Sequence, residues 1–222
     1  MSNVFTFSKF NGDISNWNVS KVTNMKDMFS FAREFNSDIR NWNTSKVTDM
    51  KGIFYQACNF NQNINNWNTS KVIDLSWAFL FAEKFNQPLN NWDTSNVTDM
   101  KSMFWSAKKF NQDLSSWDIS NVTNMSSMLS NAKSFNQNIS NWCLDNVLDC
   151  QFMFNKAEAF IDKYNSGEPL PYNTKKIKEW FNNNRDKMNE IDIKVKHGED
   201  IDNFFSNINL KKYNLLTECN KQ

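Results

Sequence analysis

A 25-residue repeat runs through most of this 222-residue chain and limits how the chain can fold. Phe and Trp each recur at this interval without a break. The two columns are Phe10, Phe35, Phe60, Phe85, Phe110, Phe135 and Phe160, and Trp17, Trp42, Trp67, Trp92, Trp117 and Trp142. A unit of this size cannot bury its apolar residues alone, so we expect successive units to stack around one continuous core.

Each unit carries the pattern of two short elements. Residues 38–42 represent an extended segment, which we expect to pair with its copies in a parallel ladder. Residues 49–59 represent a short helix capped by Thr48 or Asp49. The apolar residues of that segment fall at i, i+3, i+4 and i+7, as Met50, Ile53, Phe54 and Ala57. The predicted fold class is an α/β repeat solenoid of the leucine-rich-repeat type, with short parallel strands stacked into a ladder and one short helix per coil.

The 25-residue period ends near residue 160, and a Gly/Pro cluster follows at residues 165–172. Beyond the cluster we predict a helix that is capped by Thr174 and runs to about residue 189, and a second amphipathic helix at residues 200–208. Ile191, Ile193 and Val195 fit either a short strand or a continuation of the first helix. We therefore assign residues 1–160 to the solenoid, with about six units, and residues 161–222 to a mainly helical C-terminal cap. A separate small helical domain is the alternative.

Two polar columns accompany the apolar ones. The first consists of Asn11, Asn36, Asn61, Asn86, Asn111 and Asn136, and the second of Ser20, Ser45, Ser70, Ser95 and Ser120. We expect the Asn amides to satisfy backbone groups in their own turn and in the next coil, and the Ser hydroxyls to act within local turns. Both columns are therefore interpreted as structural.

The repeat resembles that of a known family. Residues 36–50 (NSDIRNWNTSKVTDM) and 111–125 (NQDLSSWDISNVTNM) are similar to the 25-residue units of BspA-like leucine-rich-repeat surface proteins, which occur in bacteria including mycoplasmas, in protists and in large DNA viruses. The resemblance covers roughly residues 3–160. It implies a leucine-rich-repeat solenoid used for adhesion or protein binding, and it implies no catalytic residues.

The composition and motifs argue against several functions. The 25 Lys and Arg against 24 Asp and Glu give a net charge of +1, so we expect no nucleic-acid partner. No nucleotide-binding or hydrolase motif is present, and we expect no cofactor. Asp13, Asp38 and Asp113 share a column, but Asn63 and Pro88 interrupt it, so we expect no metal site. The sequence leaves open a disulfide between Cys143 and Cys150, although free thiols are favoured.

Large apolar side chains fill positions on the predicted helices that other units leave polar. These candidate binding residues are Phe31, Tyr55, Trp77, Leu80, Phe81 and Trp105. If the helices pack as predicted, these side chains form one apolar patch on the outer face, and such patches usually mark interfaces. The alternative is that part of the set packs between helices or beneath the C-terminal tail.

These observations favour a non-enzymatic scaffold for protein–protein interaction, adhesin-like or part of an assembly, which binds a partner or itself through the aromatic face. One alternative is a carbohydrate-binding surface module. The other is an enzyme whose site in the tail contains His197, Glu199 and Asp200. The sequence begins without a basic and apolar signal segment, and no apolar run is long enough to insert into a membrane, so we expect a cytoplasmic or virion location rather than secretion.

Overall fold

The computed structural model of the protein describes residues 1–196, and the predicted helix at residues 200–208 lies outside this range. The described part contains two helices, α1 (Glu158–Asn165) and α2 (Thr174–Lys196). It contains no β-strand. Parallel pairing between units is reduced to single-residue bridges, namely Asn24 to Asp49, Asp49 to Asp74, Asp74 to Asp99, Asp99 to Asn124 and Asn124 to Asp149. The predicted α/β repeat solenoid is therefore wrong.

Frequent turns explain why the predicted strands do not form. In the segment that was expected to be extended, the Trp42 N–H donates to the carbonyl of Ile39 at 3.2 Å, which closes a tight turn. The Asp38 side chain bends the chain again by accepting the backbone N–H of Arg40 at 3.0 Å. Asx turns of this kind leave too few consecutive extended residues for a strand.

The predicted helix at residues 49–59 is also wrong, because its N–H groups alternate between two kinds of partner. One set closes turns within the unit: Ile53 to Met50, Tyr55 to Gly52 and Ala57 to Phe54, at 3.0 to 3.2 Å. The other set reaches the next unit: Gly52 to Ser76, Phe54 to Ala78 and Gln56 to Leu80, at 2.7 to 2.9 Å. Equivalent bonds recur in the other units, and we call this side of the molecule the turn ladder.

Left-handed backbone conformations make the turn ladder incompatible with an α-helix. Gly52 and Gln56 have φ values of +59° and +55°, and the equivalent residues of other units, such as Trp77 (+63°) and Phe81 (+56°), are also left-handed. A residue in this conformation cannot continue a right-handed helix. The chain instead advances as a series of turns, each hydrogen-bonded to the unit beyond.

The Phe and Trp columns form the core between the units. Phe35 and Phe60 stack with 5.9 Å between ring centroids, and Trp42 and Trp67 stack at 6.2 Å with nearly parallel rings. The column indoles from Trp42 to Trp142 are buried, whereas Trp17 in the first unit is 40% exposed because no described unit covers it. The core therefore depends on contacts between neighbouring units, as the repeat predicts.

The structural interpretation of the Asn column is confirmed. Each Asn side-chain oxygen accepts the backbone N–H of the Asn one unit later, at 2.8 to 2.9 Å for all five pairs from Asn11 to Asn136. The Ser column is confirmed as well, since Ser45 and Ser70 donate their hydroxyls to Asn43 and Asn68 within the same turns.

Helix α2 covers the end of the last unit. The N–H of Cys150 donates to Thr174 Oγ1 at 3.1 Å and that of Phe152 to the Tyr172 carbonyl at 2.8 Å, in place of a following unit. The helix is capped by Asn173, whose side-chain oxygen accepts the N–H of Lys176, and not by Thr174 as predicted. Its inward face buries Ile177, Phe181, Met188 and Ile191, and Ile191, Ile193 and Val195 continue the helix rather than form a strand.

A partly buried hydrogen-bond network joins α1 to α2. Asp192 accepts hydrogen bonds from Lys163 Nζ at 2.6 Å and from the Tyr164 hydroxyl at 2.9 Å. Both donors also reach the carbonyl of Asn136. Burial, together with the charge of Asp192, raises the pKa of Tyr164, so the phenol stays protonated and keeps donating. The network fixes both helices to the last rung of the Asn column.

Candidate functional site

Aromatic side chains line one edge of the turn ladder in the first units. Phe31 stacks on Phe7 with 4.4 Å between centroids and meets Tyr55 edge-on at 4.6 Å. Further along the same edge, Phe81 packs against Trp105 at 5.8 Å. Phe7 is 71% exposed, Trp105 is 39% exposed, and the other three are partly buried. We call Phe7, Phe31, Tyr55, Phe81 and Trp105 the aromatic strip.

The strip contains four of the six candidate binding residues and omits two. Leu80 is buried at 6% exposure and contributes to the core instead. Trp77 occupies a different column of the turn ladder, where the ammonium of Lys51 lies 4.5 Å from its ring. None of the six lies on a helix, so the predicted outer helix face does not exist. The turn ladder presents the strip instead, in two contacting groups separated by Gln56.

Periodic backbone geometry positions the strip. The N–H of Phe31 donates to the Tyr55 carbonyl at 2.6 Å, and that of Phe81 to the Trp105 carbonyl at 2.8 Å. The two rings of each pair therefore come from successive units, and a backbone hydrogen bond joins those units at the rings. Phe7 is absent from the predicted binding residues, because it is equivalent to Phe31 at a spacing of 24 residues rather than 25 and therefore falls in the Ala32 column of the repeat. Its N–H donates to the Ser30 carbonyl at 2.9 Å in the same ladder.

One carboxylate near the strip has an altered acidity. Partial burial raises the pKa of Asp27, and the nearby Asp49 and Asp74 act in the same direction, while Lys26 and Lys51 oppose them. Asp27 lies beside Gly52, where an added Cβ would come 2.1 Å from its Oδ1. The Asp27 carboxylate therefore occupies the space beside Gly52 that a Cβ would need.

A second surface was missed by the sequence analysis. The Asn column lines a polar groove together with a neighbouring column of charged and amide side chains. Its lining residues are Asn11, Glu34, Asn36, Asn59, Asn61, Lys84, Asn86 and Lys109. The signal for this groove in the sequence is the 25-residue interval of Glu34, Asn59, Lys84 and Lys109 next to the Asn column.

The carboxylate columns serve local turns. Asp93 and Asp118 accept the backbone N–H groups of Ser95 and Ser120 at 3.0 and 2.9 Å, and these bonds resemble those of Asn43 and Asn68 in the same column. Within residues 1–196 no three His, Cys, Asp or Glu side chains are grouped so as to hold a metal ion. His197, Glu199 and Asp200 lie outside the described residues.

The cysteines of the described region are free thiols. Cys143 is exposed, Cys58 is partly buried, and Cys150 is buried beside the carbonyl of Thr174. Burial raises the pKa of the Cys150 thiol to about 11. Cys143 and Cys150 are not bridged.

The helices of the described region are too short or too polar to cross a bilayer. This finding bears on only one of the predictions about partners, namely membrane insertion, and only for a helix within residues 1–196. The protein partner and self-association stay predictions.

Stacked units of 25 residues, held by Asn and aromatic columns, define a repeat protein. A family profile described as "Mycoplasma protein of unknown function, DUF285" matches residues 1–83 and again residues 59–167. The two matches cover most of the repeat region, and the chain belongs to this family. Searches of curated proteins and of solved structures found no match.

Proposed function

We propose that the protein is a non-enzymatic scaffold that binds another protein through the aromatic strip. The observation that carries the proposal is the strip itself: rings in contact with one another, partly exposed, and attached by backbone hydrogen bonds to successive units. Rigid Tyr, Phe and Trp side chains lose little conformational entropy on binding and are favoured anchors of interfaces. The same columns hold Ser106, Ser130 and Asn131 in later units, so the aromatic character is confined to one part of the edge.

We also propose that the protein belongs to the BspA-like group of repeat proteins and acts as an adhesin-like or assembly component. The repeat sequences at residues 36–50 and 111–125 support this assignment. Labelling of intact cells and of purified particles with an antibody to this protein distinguishes the two roles, since an adhesin is accessible on cells and an assembly component is recovered with particles.

The binding proposal is tested with a triple variant, Tyr55→Ser, Phe81→Ser and Trp105→Ser. Serine is the native residue in these columns at Ser30, Ser106 and Ser130, so the turn ladder accepts it. Proteins captured by the wild type are identified and purified, and their direct binding to the variant is measured by calorimetry. Sedimentation of the wild type alone measures self-association.

A matched control is the double variant Ile73→Thr and Leu148→Thr. Ile73 is 50% exposed and Leu148 78% exposed, and both share a column with Thr48, Thr98 and Thr123 away from the strip. We expect the control to bind as the wild type does and the triple variant to lose binding. Equal binding by both variants contradicts the proposal, and so does a fall in thermal stability of the triple variant alone, which would place the strip in the core.

A further inference from the structure

The first residue of the Asn column differs from the others in the residue that follows it. Asn11 precedes Gly12, whereas the later asparagines of the column precede Ser or Gln, and Asn11–Gly12 is the single Asn–Gly pair of the sequence. A Cβ on residue 12 would come 2.8 Å from Cε2 and from Cζ of the Phe10 ring, so glycine fits beside this ring. The backbone nitrogen that follows Asn11 therefore carries none of the steric hindrance that a Cβ adds.

Asn11 is also held less firmly than its counterparts. The backbone N–H of each later Asn of the column donates to the side-chain oxygen of the Asn one unit earlier, as Asn36 N–H does to Asn11 Oδ1. Within residues 1–196, the N–H of Asn11 itself has no acceptor, and neither does that of Gly12. Asn11 is exposed, and its peptide bond to Gly12 is free of the contact that anchors each later rung.

Hydrogen bonds polarise the side-chain amide of Asn11. Its Oδ1 accepts the Asn36 N–H at 2.8 Å and the Ser37 hydroxyl at 3.1 Å. If a nucleophile attacks Cγ, this oxygen becomes an oxyanion, and donors that already point at it stabilise the developing charge. The nitrogen of Gly12 is separated from that Cγ by three atoms of Asn11, so its attack closes a five-membered ring without a second molecule.

We propose that Asn11 is a site of spontaneous deamidation through a cyclic imide, selected by Gly12 and by the unanchored backbone. The Gly12 nitrogen gives its proton to hydroxide and bonds to Asn11 Cγ. The bond from Cγ to Nδ2 then breaks, and Nδ2 takes a proton from water and leaves as ammonia. Water next adds to one of the two imide carbonyls and opens the ring. Breaking the bond from the nitrogen to Cγ gives aspartate, and breaking the bond to the main-chain carbon gives isoaspartate.

The modification changes the junction between the first two units. Aspartate keeps an oxygen on Cγ as the acceptor for Asn36 N–H, but it adds a negative charge to the groove that Glu34 also lines. Isoaspartate lengthens the main chain by one carbon atom and so displaces that acceptor. The site is distinct from the aromatic strip and does not depend on the proposed protein-binding function.

The test is incubation of the full chain at 37 °C and pH 8.5 in isotopically labelled water, followed by peptide mass spectrometry. Asn36, Asn61 and Asn86 are internal controls that need no substitution. We expect Asn11 to convert at least about tenfold faster than each of them, because a modest lowering of the barrier has that effect on a rate. The new carboxylate should carry the label, and conversion should be slower at pH 6, where less of the Gly12 nitrogen is deprotonated.

Two substitutions separate the local structure from the dipeptide. Gly12→Gln introduces the residue that follows Asn61 and Asn86, and conversion of Asn11 should fall to the level of those controls. Gln62→Gly creates a second Asn–Gly pair at Asn61, whose N–H is held by Asn36 Oδ1 at 2.8 Å. We expect Asn61 in this variant to convert about fivefold more slowly than Asn11, because its backbone must first lose that hydrogen bond.

Three results overturn the proposal: no conversion of Asn11 in the folded chain, equal rates at Asn11 and at the other column asparagines of the wild type, or equal rates at Asn11 and at Asn61 in Gln62→Gly. The last would mean that the dipeptide alone sets the rate. Selective conversion of Asn11, with the label in its new carboxylate, supports the proposal. If Gly12→Gln does not fold, the comparison within the wild type decides the question.

Discussion

The indole Nε1 of Trp92 donates a hydrogen bond to the carbonyl of Ile64 at 3.0 Å, across 28 residues of sequence. The same carbonyl accepts the backbone N–H of Trp67 at 3.1 Å, so one oxygen closes a turn in its own unit and binds the next unit. Equivalent bonds from Trp42, Trp67, Trp117 and Trp142 recur at the same separation. The Trp column therefore supplies both apolar contact and a specific polar link between units.

We expect Trp92→Phe to destabilise the protein by roughly 2 kcal/mol, about 1 from the hydrogen bond and the rest from a smaller ring in a close-packed column. The matched control is Trp17→Phe, because Trp17 is 40% exposed and its Nε1 makes no hydrogen bond within residues 1–196. That change should cost less than about 0.5 kcal/mol. Urea denaturation measures both, and equal losses would show that the indole bond contributes nothing specific.

The sequence predicts which residues form the core and that they repeat every 25 residues, but it does not predict the path of the backbone. Burial of the Phe and Trp columns follows from their spacing alone, because any structure that superposes units 25 residues apart brings them together. The set Met50, Ile53, Phe54 and Ala57 is buried as expected, yet a helix and a series of turns place these positions inward equally well. The pattern of burial therefore could not distinguish the two.

Two local signals favoured turns over helix and were outweighed by the apolar pattern. Gly52 stands in the middle of the predicted helix, and Asn, Ser and Asp, which have low helix propensity, fill many of the equivalent polar positions in other units. The candidate binding residues were only partly predictable for the same reason. Phe81 and Trp105 meet on the turn ladder, but assignment to a helix face wrongly grouped them with the buried Leu80.

The left-handed positions of the turn ladder predict a stabilising substitution. Ser127 has a φ of +56° in the column that Gly52 occupies with a φ of +59°. Ser127→Gly relieves a conformational cost of about 1 kcal/mol, part of which is offset by the greater freedom of glycine in the unfolded chain. We expect the thermal midpoint to stay level or rise.

Two other substitutions control for this effect. Ser134 is exposed and has no positive φ, so Ser134→Gly should cost about 0.5 to 1 kcal/mol. Gly52→Ala should be destabilising as well, because its Cβ would meet Asp27 Oδ1 in a backbone conformation that favours glycine. A lower thermal midpoint for Ser127→Gly than for Ser134→Gly would refute the role assigned to the left-handed positions.

The cysteines should differ in reactivity. Cys150 is buried under α2, and desolvation raises its pKa to about 11, so little thiolate exists at pH 8. We expect iodoacetamide at pH 8 to modify the exposed Cys143 and to leave Cys150 unmodified in the folded protein. Peptide mass spectrometry measures each site, and denaturation in guanidinium should make both reactive. Rapid modification of Cys150 in the folded state would mean that α2 does not cover it.

Asp93 and Asp118 should make the protein more sensitive to acid. Hydrogen bonds from the hydroxyl and the backbone N–H of Ser95 lower the pKa of Asp93, and those from the N–H and hydroxyl of Ser120 lower the pKa of Asp118. Because these folded-state values lie below the ordinary value of about 3.9, the unfolded chain binds more protons in this range. The stabilisation is therefore fully present above about pH 4 and is lost as the pH falls through the folded-state values.

Replacing both residues tests this linkage. Asp93→Asn with Asp118→Asn keeps a side-chain oxygen as the turn acceptor, as Asn43 and Asn68 already do in the same column. At pH 7 we expect a change of no more than roughly 0.5 kcal/mol, since both carboxylates are exposed and screened by solvent. Between pH 5 and pH 2.5 the double variant should lose less stability to urea than the wild type. A loss in the variant that equals or exceeds that of the wild type would show that these carboxylates are not stabilised by their turns, because removing them would then have removed no acid-sensitive contribution.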